Sequence, residues 1–171
     1  MKILDRLRSL PSGARWVLTL FLVLGYFPLF LHLDTLPARL FDESRQALSA
    51  LEMLRSGDWL VTRYQGVTDL YNTKPPLLFW LITASYALLG PGELAMRLPV
   101  AILAWSTCFV LLRYVWRVTA SPWTGLFAAL ILLTSGGYVT THVARTADFD
   151  APMIFFMFTS TEEEDEDDQS D

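Results

Sequence analysis

The chain has a single cysteine, Cys108, and it lies inside an apolar run. An internal disulfide framework is excluded, and so is a zinc cluster built on several thiolates. Charge is nearly missing from three stretches of about 18 to 19 residues. That absence excludes an ordinary soluble domain, because such runs read as membrane spans. A dense basic stripe is missing too. The 13 Lys and Arg are scattered through loops, which argues against a nucleic-acid partner. No internal repeat is visible.

What is there is an apolar body with an uneven charge. Of the 171 residues, 53% are hydrophobic and the formal net charge is −5. Residues 161–171 carry eight of the 18 acids; without them 13 bases face 10 acids. The body is therefore mildly basic and the tail strongly acidic.

The first apolar run, 16–33, would be roughly 27 Å long as a helix, enough for a thin bilayer core. Lys2, Arg6, Arg8 and Arg15 precede it, opposed by Asp5, which predicts a cytoplasmic N-terminus over 1–15. The run is too long for a signal peptide, and no small-x-small cleavage site follows. Two more spans are expected at 98–116 and 122–140, the latter opened by Ser121 as cap and Pro122 at the first helical position. The short turn between them holds Arg117, close to Arg113, and belongs in the cytoplasm. Trp16, Trp116 and Trp123 then share the cytoplasmic interface.

The run 75–89 is apolar, but as a helix it reaches only about 22 Å. If it crossed, Arg113 and Arg117 would face outward against the positive-inside rule. It therefore reads as an interfacial or re-entrant helix on the outer side. The expected architecture is all-α: polytopic membrane helices, with amphipathic juxtamembrane helices in a first outer loop over 34–97. An outer acidic loop, 141–150, leads into a fourth helix that starts at 151–160. It offers only about 12 Å of apolar length before the acidic run 161–171, expected to be disordered. A span that begins and then turns acidic is expected of a truncated chain.

Within the outer segment, Ala47, Leu48, Leu51 and Leu54 fall on one face of 42–55, with Arg45, Glu52 and Arg55 away from it. This predicts a helix lying along the membrane surface, begun at Asp42, a favoured N-cap, and ended by Gly57. Residues 58–70 should be extended, with a turn at Gly66. Pro75-Pro76 opens the interfacial helix and removes two amide donors.

Asp42-Glu43-Ser44-Arg45, Glu52-Met53-Leu54, Ser56-Gly57-Asp58-Trp59, Lys74-Pro75-Pro76-Leu77, Trp80, Gly90 and Arg97-Leu98-Pro99 occur in this order and spacing. From about Gly25 to Phe158 the chain resembles the N-terminal part of the membrane glycosyltransferases related to aminoarabinose lipid A transferase and protein O-mannosyltransferase. Family members are several times longer. The resemblance implies a many-span helical fold of the C type in the inner membrane and a polyprenyl-phosphate sugar donor. It also implies transfer on the outer face, to a lipid A, glycan or protein acceptor.

It further implies residue roles. Asp42 matches a critical acid of the first outer loop, acting as general base toward an acceptor hydroxyl or as the carboxylate that orients it; without the resemblance, helix capping explains it. Asp150 matches the second acidic position, with Asp148 beside it. Two such carboxylates can share a divalent ion or cap a helix. Whether a metal is used stays open, since the Glu that precedes Lys-Pro in some members is Thr73 here. Lys74, Arg45 and Arg145 are candidates for the donor phosphate, whose developing charge cations would stabilise; anchoring at lipid headgroups is the plain alternative. Glu43 would support Asp42. Tyr71 and Trp80 can stack on a sugar or prenyl chain, or anchor at the interface. His142 reads as interfacial.

The chain by itself is expected to be inactive, since about three spans cannot enclose a prenyl groove and two substrates. One competing reading is a non-catalytic small membrane protein with an acidic interaction tail. A transporter fragment is the other, disfavoured because the spans hold almost no ionisable groups.

Overall fold

The computed structural model describes residues 11–35, 37–38, 42–70, 72–139 and 143–168, with side chains to residue 160. Tyr71 and His142 lie outside the described residues. The helices are α1 (Ser12–Phe30), α2 (Asp42–Ser56), α3 (Leu77–Leu89), α4 (Glu93–Thr119), α5 (Pro122–Thr134), α6 (Gly136–Val139) and α7 (Asp150–Asp168). The expected all-α fold is what forms, apart from a small hairpin of β1 (Arg63–Tyr64) and β2 (Val67–Thr68). Its strands are antiparallel, with Arg63 opposite Thr68 and Tyr64 opposite Val67. Gln65 and Gly66 both take positive φ, 54° and 79°, as a two-residue hairpin turn demands. The turn is held by Glu52, whose carboxylate accepts the Gly66 N–H at 3.0 and 3.1 Å.

Helices α1 and α4 are long and apolar enough to cross a membrane; α3 and α5 are apolar but shorter. Ala14, Val17, Phe21, Gly25 and Leu29 form the buried stripe of α1, spaced as one helix face requires. Trp16, Leu22, Val23, Tyr26 and Phe27 on its other side are exposed, a surface suited to lipid or to further helices. The helix ends at Phe30 rather than at residue 33. Pro28 has already removed one amide donor, and His32 turns the chain at φ 56°. Helix α4 extends past both ends of the expected 98–116 span, from Glu93 to an αL residue at Ala120. Ser121 then caps α5 as its sequence suggests, accepting from the Thr124 N–H at 3.5 Å.

Helices α4 and α5 form a close antiparallel pair. A Cβ at Gly125 would meet the Leu112 carbonyl oxygen and the backbone nitrogen of Trp116; small residues are what permit such approach between membrane helices. Gly125→Val is expected to cost about 1–3 kcal/mol through overpacking, read as an earlier thermal unfolding transition in detergent. Phe21 stacks on Trp105 at 5.4 Å between ring centroids, joining α1 to α4.

The run 122–140 is not one helix. Ser135 is extended at φ −68°, ψ 119°, and Gly136 and Gly137, the weakest helix formers short of proline, follow it. The Tyr138 hydroxyl donates to the Ala104 carbonyl at 2.8 Å, so the break sits against the middle of α4. Irregular backbone at that depth is tolerated where protein covers it. A second departure concerns the tail: α7 continues as helix through 161–168, expected as disordered. Four of the residues added are Glu, a good helix former.

The rotation of α2 also differs from expectation. Its fully buried residues are Glu43, Gln46, Ser49, Ala50 and Met53, while Ala47, Leu51 and Leu54 are only partly buried against the core. Two polar interactions pull this face inward. The Thr83 hydroxyl of α3 donates to the Ala50 carbonyl at 3.3 Å, and Glu43 enters a buried ion pair. The latter also settles how 34–97 runs. Arg97, in the first turns of α4, donates to the Leu33 carbonyl just past the end of α1 at 2.7 Å. The segment between them therefore leaves and rejoins the bundle at the same end.

Candidate functional site

A buried ion pair forms the floor of that end. Arg97 Nε and Nη2 donate to Glu43 Oε1 and Oε2 at 2.7 and 3.0 Å. The same guanidinium reaches the Leu33 carbonyl and, at 3.1 Å, that of Pro37. Glu43 Oε1 also accepts the Ala147 N–H at 3.2 Å. One pair thus ties the exit of α1, the start of α2, the start of α4 and the loop before α7. The hydrogen bond to Glu43 outweighs burial and holds the Arg97 guanidinium firmly protonated. Burial, with Glu93 and Glu43 as negative neighbours, pushes the Tyr86 phenol up to about 12.

Above this floor opens a cavity of about 550 Å³. Asp42, Arg45 and Gln46 face it from α2, Asn72, Thr73 and Lys74 from the loop before α3, and Leu70, Phe79 and Phe149 add apolar wall. Three residues singled out from sequence, Asp42, Arg45 and Lys74, are therefore brought together. Asp42 is exposed, with no hydrogen bond or ion pair to the described residues. Lys74 Nζ lies 4.9 Å from the Phe149 ring centroid, a cation–π distance, and Phe149 meets Phe79 edge-on at 5.6 Å.

Arg45 arrives already partnered. Its Nε and Nη2 form a fork onto Asp69, with contacts of 2.6 to 3.2 Å, and the guanidinium lies over Tyr64 at 5.1 Å. It is pre-oriented by Asp69, which also offsets its charge.

Asp148 and Asp150 flank Phe149 in the chain but do not line the cavity. Asp148 is nearly buried and accepts the Phe149 N–H at 2.7 Å, which fixes the turn that presents the ring. Asp150 is half-buried and opens α7, where a carboxylate complements the helix dipole. Glu43 lies beneath the cavity, in the floor pair. Arg145 is elsewhere. Its guanidinium donates to the carbonyls of Pro28, Leu31 and His32 at 3.0, 2.7 and 3.0 Å, capping the C-terminal end of α1. Three of its five N–H donors are thus committed to backbone. Arg145→Met is expected to cost about 1.5–3 kcal/mol in stability, as for hydrogen bonds to a charged group, read as an earlier thermal unfolding transition in detergent. Trp80 Nε1 donates to the Trp59 carbonyl at 2.6 Å, so its indole anchors α3 to the loop after α2.

Sequence reasoning missed Asp69, Gln46 and the partnership of Arg97. Arg97 carried a signal, as a charged residue at the edge of an apolar span. Asp69 had none. Among the described residues no three His, Cys, Asp or Glu side chains gather in a way that could hold a metal ion.

Comparison with known proteins follows the same residues. The family model described as dolichyl-phosphate-mannose-protein mannosyltransferase matches residues 73–161, more than half of the chain. An undecaprenyl phosphate-alpha-4-amino-4-deoxy-L-arabinose arabinosyl transferase of Pseudomonas savastanoi is 30% identical over 123 residues, covering 72% of this chain and 22% of the relative. An uncharacterized protein of Aquifex aeolicus is 34% identical over 119 residues, 70% of this chain and 23% of its own. Among solved structures, ArnT from Cupriavidus metallidurans bound to undecaprenyl phosphate superimposes with a TM-score of 0.71 at 29% identity, covering 86% of this chain and 26% of that one. The chain thus spans about a quarter of the length of the relatives it matches.

Proposed function

Because the chain belongs to the dolichyl-phosphate-mannose-protein mannosyltransferase family, membrane glycosyltransferases of the C type that draw on a polyprenyl-phosphate sugar, we propose that its cavity is the donor side of such a site. The observation that carries this is the meeting of Asp42 and Lys74 in one cavity whose wall is partly aromatic. The donor is a sugar on undecaprenyl phosphate, as the relative's name and the solved neighbour's ligand suggest.

The reaction is a displacement at the anomeric carbon. The acceptor oxygen forms its bond there as the bond to the phosphate oxygen breaks, and undecaprenyl phosphate leaves. With a hydroxyl acceptor, Asp42 takes the proton; with a phosphate acceptor no base is needed, and Asp42 orients it. Lys74 balances the charge that grows on the leaving phosphate, assisted by Arg45 on its Asp69 support. Asp150 acts from the other loop on the acceptor side, and Asp148 positions Phe149. The acceptor is an envelope molecule, such as lipid A, a glycan or a protein. Residues 1–15 lie in the cytoplasm and both acidic loops on the outer face of the inner membrane.

Lys74→Ala tests the donor side. In a binding titration against undecaprenyl phosphate, affinity should fall by roughly 10-fold or more, as for loss of a charge-assisted contact. Unchanged affinity would remove Lys74 from the site.

A further inference from the structure

Gln46 has no part in the scheme above, yet it is built into the same cavity. It sits one turn after Asp42 on α2, is only 5% exposed, and lines the cavity. Its Oε1 has no hydrogen-bond partner. Leaving a buried carboxamide oxygen unpaired is destabilising, so packing alone would be better served by Leu or Met. The neighbouring amide is different. Asn72 Nδ2 donates to Thr62 Oγ1 and its Oδ1 accepts the Lys74 N–H, both at 3.2 Å. Asn72 is satisfied within its own loop; Gln46 is not. The terminal torsion of a Gln side chain is broad and roughly two-fold, so either end of the amide can turn to a ligand.

We propose that the Gln46 carboxamide hydrogen-bonds the sugar of the lipid-linked donor and helps determine which sugar is accepted. This rests on the reading of the cavity as the donor site. The charges of that cavity, Lys74 and Arg45, suit a phosphate. A neutral group that both donates and accepts suits a hydroxyl or amine. The sugar is covalently joined to the phosphate, so it enters the same space. Residues four apart on a helix have Cβ atoms about 5–6 Å apart, comparable with the width of a pyranose ring. A ring placed along α2 can then present its reacting side to Asp42 and a distal substituent to Gln46. A site that hydrogen-bonds a substrate group discriminates strongly against analogues that lack it.

The test compares two probes on the purified whole protein that carries this segment, in lipid nanodiscs: undecaprenyl phosphate, and the same lipid carrying 4-amino-4-deoxy-L-arabinose. Gln46→Leu should bind the sugar-bearing lipid roughly 10-fold more weakly, the equivalent of one net hydrogen bond, and the bare lipid as wild type does. Gln46→Asn should recover part of the loss, and it serves as the primary variant if the leucine form fails to fold by helix content. Lys74→Ala should weaken both lipids. If Gln46→Leu leaves sugar-bearing lipid binding intact while Lys74→Ala weakens both, the Gln46 proposal is overturned and the donor site stands. Equal loss of both lipids in Gln46→Leu also overturns it, since that marks a structural role. Wild-type protein that binds neither probe better than Lys74→Ala would overturn the donor-site reading, and the role of Gln46 with it.

Discussion

Arg97→Met should destabilise the chain by about 3–5 kcal/mol, the range for removing one partner of a buried ion pair. Glu43 and Arg97 are 3% and 5% exposed as side chains, so water cannot replace the lost partner. Four groups lose their donor at once: both oxygens of Glu43 and the carbonyls of Leu33 and Pro37. Arg97→Lys should recover only part of this, because an ammonium cannot reproduce the planar fork that reaches all of them. The paired replacement Glu43→Gln with Arg97→Met should be less harmful than Arg97→Met alone, since no buried charge is left without its counterpart. Chemical unfolding of the wild type, these three variants and Glu43→Gln alone in one detergent gives the comparison. Additive losses would mean that the two side chains do not act as a pair.

The second large effect is expected at Asp42. In the whole protein that carries this segment, Asp42→Asn should reduce transfer by about 10²–10⁴-fold if Asp42 acts as a general base. The loss should appear in kcat. The affinity for undecaprenyl phosphate should hold or rise slightly, since removing a negative charge from a cavity that receives a phosphate relieves repulsion. Lys74→Ala should show the complementary pattern, with KM for the donor raised. Asparagine keeps the shape of the carboxylate but cannot take a proton, so Asp42→Asn with wild-type kcat would leave Asp42 only a structural part.

Helices were legible in the sequence wherever period and punctuation agreed. The α2 start at Asp42, its stop at Gly57 and the Ser121-Pro122 opening of α5 all follow from local rules. Several of the failures share one cause, tertiary contact. Periodicity put Ala47 and Leu48 on the inner face of α2, but the buried stripe is set by Glu43 meeting a residue 54 positions away. Nothing local reveals that three carbonyls at the end of α1 face Arg145. For the cavity, the motif residues Asp42, Arg45 and Lys74 were identifiable one by one. Asp69 was not, since an acid in an extended segment has no local mark of the arginine it holds. The parity reasoning that kept 75–89 from crossing used only the placement of Arg113 and Arg117; the sidedness measurement below is what tests it.

The most direct check is of sidedness. With Cys108 replaced by serine, single cysteines at Asp42, Asp150 and Val118 would be exposed in intact cells to a thiol reagent that does not cross membranes. Val118 is 67% exposed, near the far end of α4. Cysteines at 42 and 150 should both react from outside, and the one at 118 only after the cells are opened. Labelling of 42 and 150 from opposite sides would contradict a shared active centre.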